Sequence, residues 1–246
     1  MDYSYLGSGK VYVRVAGAAA GLRFVGNVTD LSFNVTEDNK ELKDRTQPGG
    51  GTYNEVRRIG SVEATIKMTD FSPENLAMAA YGAASAIAAT PVTNEAHTAY
   101  RGGFVSTLYP IDTTATVTVN AAGSPATPYT AGSDYIVRGG GLEIPSTSTI
   151  VDASSIVVDY TPKAGDKVEA LVAAAQEYEF VFDGLNEARS GKTVKITAHR
   201  VKFGPAAALA LLSEEYGALE VKGKLLKDTT KNGTTVSQYF VAQIVE

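Results

Sequence analysis

A two-residue alternation of apolar and polar side chains, present toward both ends, constrains this chain more than any other feature. Val11, Val13 and Val15 alternate with Tyr12, Arg14 and Ala16, and Leu31, Phe33 and Val35 alternate with Ser32, Asn34 and Thr36. Val62, Ala64, Ile66 and Met68 alternate with Ser61, Glu63, Thr65 and Lys67. The pattern returns at Tyr178, Phe180 and Phe182, and again at Val194, Ile196 and Ala198. Period two belongs to a strand with one buried face, so the chain is expected to build antiparallel sheet. At Val201 and Phe203 the apolar residues change parity, which predicts a bulge.

The interruptions are equally specific. Phe71-Ser72-Pro73-Glu74-Asn75 reads as a helix start, with Ser72 as cap, Pro73 where its missing N–H is harmless, and Glu74 at the positive end of the dipole. A short helix over 76–81, stopped by Gly82, follows from it. Gly204-Pro205 predicts a second helix over 206–216, closed by Gly217. Residues 37–53 carry charges of both signs, then Pro48 and Gly49 to Gly51, with no apolar period. They read as a long connection without secondary structure, either a solvated loop or an arm that orders against a neighbouring subunit. The C-terminus reads as a hairpin of Leu219 to Leu225 with Val236 to Val245 around an Asn232-Gly233 turn. Its last strand is apolar on both faces, so it is expected to be central in its sheet or covered by a partner.

Residues 109–160 differ in texture. Short apolar runs around Val119, Ile136, Leu142 and Val157 recur between Gly, Pro and Ser turns, which predicts a small β-sandwich inserted into the chain. The expected organisation is a core of 1–105 and 173–246 interrupted by a module at 106–172. The fold class is mainly β with a minor α component, a sandwich or barrel core with short flanking helices.

Composition bounds the chemistry. The 246 residues carry 22 Lys and Arg against 27 Asp and Glu, a net charge of −5, which lacks the basic footprint of a nonspecific duplex binder. With no cysteine, thiolate metal sites, disulfides and a Cys nucleophile are all excluded. His97 and His199 stand alone, without a ligand-spaced partner. Gly7-Ser8-Gly9-Lys10 resembles the end of a phosphate loop, but Val11 follows and a strand continues, so it reads as a flexible lead-in. Asp166 with Glu169, and Glu214 with Glu215, are read as solvated carboxylates. No catalytic residue, cofactor or metal is expected, and the chain is not expected to be an enzyme. Its N-terminus lacks a basic region before an apolar run, and no apolar stretch approaches ~20 residues. Synthesis in the cytoplasm and no membrane contact are expected.

Several segments together resemble the major tail tube proteins of tailed bacteriophages. They are Lys10 to Val15, Val28 to Val35, the charged and Gly-rich 37–53, Phe71-Ser72-Pro73-Glu74-Asn75-Leu76, Phe182-Asp183-Gly184-Leu185-Asn186 and Val201-Lys202-Phe203-Gly204-Pro205-Ala206. The Tyr129 to Tyr135 and Val157 to Thr161 segments resemble small immunoglobulin-like modules carried by such proteins. The resemblance implies six-membered rings that stack into a hollow tube, through which double-stranded DNA passes without specific binding. It implies a place in the virion tail, with tape measure, tail terminator and distal tail proteins as further partners. Lys40, Glu41, Lys43, Asp44, Arg45, Gly49 and Gly50 would then belong to the arm between rings. Ser32, Asn34, Thr36, Glu63 and Thr65 would be candidates for the lumen wall, expected to be neutral to negative. The competing reading is a monomeric binding or adhesion module with an immunoglobulin-like insert.

Overall fold

A computed structural model describes residues 3–212 and 214–245, with 124–127 described by their backbone alone. The chain termini and Ser213, in the middle of the expected second helix, lie outside the described residues. Strand takes 51% of the chain and helix 4%, so the fold is mainly β, built of antiparallel sheets. The chain divides into two compact units, 1–83 with 168–246, and 84–167.

The first unit is an eight-stranded sheet. Its strands are β1 (Gly7–Val15), β2 (Arg23–Phe24), β3 (Val28–Lys43) and β4 (Thr52–Met68), then β14 (Glu177–Asn186), β15 (Lys192–Phe203), β16 (Leu219–Leu225) and β17 (Phe240–Ile244). The order is β2-β1-β14-β15-β16-β4-β3, with β17 also on β15. Inward parity carries Val11, Val13, Val62, Ala64, Ile66, Phe180, Ala198, Val201 and Phe203 into one core. Phe33 of β3 stacks on Phe180 of β14 at 5.6 Å and on Phe240 of β17 at 4.9 Å. Strands β3 and β14 are separated by three others in the sheet order. Only a sheet curled over its own face brings these rings together. The curl stays open, with a cleft of about 430 Å³ where Gly7 and Gly9 face Leu31, Phe33 and Ile244.

The parity change at Val201 is a bulge. Tyr178 pairs with Val201 and Phe180 with Ala198, so His199 and Arg200 oppose Glu179 alone. The extra residue lets Ala198 and Val201 both point inward, each fully buried. Beyond it β15 forks, pairing β17 through Val194 to Ala198 and β16 through Val201 to Phe203.

Helix α1 (Pro73–Ala79) starts where the sequence placed its cap, with the Asn75 N–H donating to Ser72 Oγ at 3.2 Å. It ends at Ala79, with Ala80 as its C-cap, before the expected residue 81. Other expectations are corrected. Residues 204–212 and 214–218 form no helix. The Ala206 N–H donates to Ala79 O instead, and a short helix with little to bury its apolar face against is marginal. The C-terminal strands do not form a hairpin, because β16 lies between β4 and β15 while β17 takes a different stretch of β15. Nor is β17 central: β15 is its only partner among the described residues, and Ile244 and Val245 are more than half exposed. Gly7 to Lys10 already belong to β1, and Gly9 faces Gly184 where any Cβ would meet backbone at 2.5 Å. Those glycines serve close strand approach rather than flexibility.

The second unit begins at Ala84 and ends at Lys167, earlier at both ends than the expected 106 and 172. The stretch before residue 105 joins it because β6 (Val92–Ala99) pairs along β12 (Ser154–Tyr160). One sheet has the order β6-β12-β8-β9, with β8 (Thr118–Ala121) and β9 (Ser124–Pro128), the latter where a turn was expected. The other is β10 (Ile136–Arg138), β11 (Gly141–Glu143) and β7 (Phe104–Ser106). Val119, Ile156 and Val158 from the first sheet and Val105 and Leu142 from the second share a separate core. Strands β5 (Ala83–Ile87) and β13 (Gly165–Glu169) pair where the chain enters and leaves.

Candidate functional site: a projecting hairpin and a polar sheet face

Residues 37–53 are mostly strand, which corrects the expected loop. Strands β3 and β4 stay paired from Val35–Val62 out to Lys43–Thr52, past the last pairing of β4 with β16 at Glu63. Charge pattern did not prevent pairing, because backbone bonds form the ladder and the side chains arrange themselves around it. Glu41 and Glu55 face each other directly, a destabilising placement alone. Each is neutralised two residues along its own strand, Glu41 by Lys43 and Glu55 by Arg57. The Lys43 hydrogen bond and its charge hold the Glu41 carboxyl below its ordinary range, and Glu55 raises the Arg57 guanidinium in the same way.

The register sorts the hairpin into two faces. One carries Asp38 with Arg58, Lys40 with Val56, and Leu42 with Asn54. The other carries Glu37 with Ile59, Asn39 with Arg57, and Glu41 with Glu55. Leu42, Val56, Ile59 and Tyr53 are all exposed, Tyr53 by 71%.

The tip is closed. The Asp44 N–H donates to Gly51 O at 2.8 Å, and Asp44 Oδ1 accepts from the Thr46 hydroxyl at 2.6 Å and its N–H at 2.8 Å. These bonds, the hydroxyl's first, hold the Asp44 carboxyl below its ordinary value. Gly49 takes φ +90°, and a Cβ on Gly50 would lie 2.0 Å from Asp44 O. Of the candidate arm residues, Lys40, Glu41 and Lys43 are therefore in β3, and Asp44, Arg45, Gly49 and Gly50 form its tip.

Ser32, Asn34 and Thr36 pair with Thr65, Glu63 and Ser61, so all five candidate wall residues share the face of β3 and β4 opposite the core. Strand β16 adds Glu220, Lys222 and Lys224 to that face, facing Lys67, Thr65 and Glu63. Parity within one strand cannot show this, because the neighbour lies some 150 residues away in the chain. Across the three strands, Asp30, Glu63 and Glu220 stand against Lys67, Lys222 and Lys224, three charges of each sign. Lys222 pairs with Glu220 at 3.0 Å and Lys224 with Glu63 at 3.9 Å. This face is balanced rather than negative.

The second unit holds a half-buried polar cluster that sequence reading missed. Glu95 accepts from the Tyr160 hydroxyl at 2.7 Å and the Leu108 N–H at 2.8 Å, and bonds His97 Nε2 at 2.8 Å. Burial pushes the Glu95 carboxyl up, but these bonds pull it net below its ordinary value, and burial with Glu95 raises the Tyr160 phenol to about 12. Glu95 lies two residues from His97 on β6, while Tyr160 arrives from β12, so only the sheet assembles the group. Among the described residues no group of three or more His, Asp or Glu is placed to hold a metal ion. Nor is any helix there long and apolar enough to cross a membrane.

Fold and surface thus define a mainly-β protein of two antiparallel units that presents an exposed hairpin of mixed charge. Residues 4–243 match the model of the family described as Protein of unknown function UCP028589, and the chain belongs to that family. No curated protein matches it.

Proposed function

We propose that this chain is a tube-forming structural subunit, a tail tube protein of a tailed bacteriophage, whose rings of six stack around a channel for double-stranded DNA. The hairpin carries this reading. It presents Leu42, Tyr53, Val56 and Ile59 to solvent between charges of both signs, on a preformed ribbon whose edges pair with no further strand among the described residues. Exposed apolar side chains rimmed by polar ones suit a protein partner. The balanced face of β3, β4 and β16 supports the reading as a channel wall. Lys222 and Lys224 each have a carboxylate at hand, which leaves few cations to exchange counterions with passing phosphate. The place of action is the virion tail, with tape measure, terminator and distal tail proteins at work beside the tube.

Electron microscopy of the purified chain tests this. Rings or tubes are expected from the native sequence. Replacing 41–55 by Asn-Gly, a turn that joins Lys40 to Val56 in their existing register, is expected to leave folded, unassembled subunits. Discrete monomers from the native chain at every concentration would defeat the proposal and favour a binding module.

A further inference from the structure

Asn232 is the one asparagine of this chain that is followed by glycine, and the hairpin turn expected of that pair is not formed. The pair lies in the connection between β16 and β17, residues 226–239. Both ends of this connection are fastened. The Leu226 N–H donates to Arg200 O at 2.8 Å, the Asp228 N–H to Gln238 O at 2.9 Å and the His199 N–H to Tyr239 O at 3.0 Å. Asn232 and Gly233 lie at the tip beyond these bonds, and both are exposed. Among the described residues, neither the Gly233 N–H nor the Asn232 side chain makes a hydrogen bond.

That free N–H has a target beside it. The nitrogen of the residue after an asparagine can close a five-membered ring on the side-chain Cγ, and glycine puts no Cβ in its way. Every other asparagine here is followed by Val, Lys, Glu, Leu or Ala. The chain also carries an internal comparison. Asp183-Gly184 is its one Asp–Gly pair, open to the same closure with loss of water. It lies within β14, paired with Lys10 and Gly9 on one side and Lys195 and Val194 on the other. Ladder bonds on both sides hold its dihedrals away from ring closure. At the 232–233 tip no such bond has to break.

We infer that Asn232 is a site of spontaneous covalent modification, cyclising onto the Gly233 nitrogen and reopening as aspartyl and isoaspartyl forms. The Gly233 nitrogen gives up its proton and bonds Asn232 Cγ, the Cγ–Nδ2 bond breaks, and ammonia leaves with that proton. Water then adds to either carbonyl of the succinimide, breaking its bond to the ring nitrogen and leaving a carboxylic acid that ionises. One water is taken up and one ammonia released, with nothing oxidised or reduced. Each event adds one negative charge to a chain of net charge −5. The isoaspartyl form also routes the main chain through the side chain and lengthens it by one carbon. Because the fastening bonds lie outside the tip, β16 and β17 keep their places.

Ageing the purified native chain in mildly alkaline buffer, followed by digestion and mass spectrometry, tests this. The peptide carrying Asn232 is expected to gain the mass difference between O and NH and to split into two separable products. The intact chain is expected to shift to a more acidic isoelectric point. Asn232→Ser is expected to lose both changes, the Asp183-Gly184 peptide to remain a single species, and the aged chain to keep its melting temperature. A synthetic peptide of residues 226–239 that converts while the folded chain does not would overturn the inference, since the fold would then protect the tip. Conversion at Asp183 as fast as at Asn232 would overturn it too, because the ladder would offer no protection. A melting temperature that falls on ageing in the native chain and not in N232S would overturn the placement of the tip outside the fastened strands.

Discussion

Asn75 shows how one side chain can join three segments. It is fully buried, and its Nδ2 donates to Val25 O at 2.7 Å and Asp70 O at 2.9 Å while its Oδ1 accepts from Arg23 at 2.8 Å. Burial lowers the Arg23 guanidinium below its ordinary value, so the charge depends on such acceptors. Asn75→Ala removes the donor to two carbonyls and the closest acceptor of Arg23, which keeps only Phe24 O at 3.4 Å and the charge of Glu74, and urea unfolding is expected to show a loss of about 3 kcal/mol. In the second unit the Glu95 cluster contributes to the pH dependence, beside Asp112 and Asp134, whose carboxyls hydrogen bonds hold low, and Tyr135, whose phenol burial pushes up. A depressed carboxyl contributes stability above the ordinary carboxylate range and loses it as pH falls through its lowered value. The Tyr160 phenol, raised to about 12, contributes fully below about pH 10 and loses that contribution between there and 12. Tyr160→Phe is expected to remove that part of the alkaline loss and to lower stability by about 2 kcal/mol at neutral pH, read by denaturation at several pH values.

At the scale of elements, strand pairing rewards backbone geometry as much as side-chain pattern. Gly9 and Gly184 let β1 and β14 approach, so Gly9→Ala is expected to cost about 1–3 kcal/mol in thermal unfolding. Gly21→Ala, where a Cβ meets nothing within 4 Å, should be near neutral. The helix cap at Ser72 and the bulge at His199–Arg200 were legible in sequence, because each depends on a few adjacent residues. The hairpin was not. Its partner strands hold their register without a buried face, and hydrophobic period is silent where no face is buried.

For the whole molecule, two separate cores imply two separable folding units. A chain with Ala83 joined to Val168 by a short Gly-Ser linker, lacking 84–167, is expected to keep the circular dichroism and melting temperature of the first unit. Collapse of that unit on excision would show that the second is needed for its stability.

The sequence by itself determined the strand-rich class, the inward parity of most core residues, the first helix and the bulge. Each follows from propensity or periodicity within about a dozen residues. Tertiary structure alone decided that β16 inserts beside β4, that β17 pairs β15, and that Lys222 and Lys224 balance Glu220 and Glu63. It also decided that Tyr160 reaches Glu95 and that an Ala- and Leu-rich segment stays unwound. These outcomes depend on which distant strands become neighbours and on what is left to bury an apolar face. Neither is written in the local order of residues, because loop closure brings together positions that share no period.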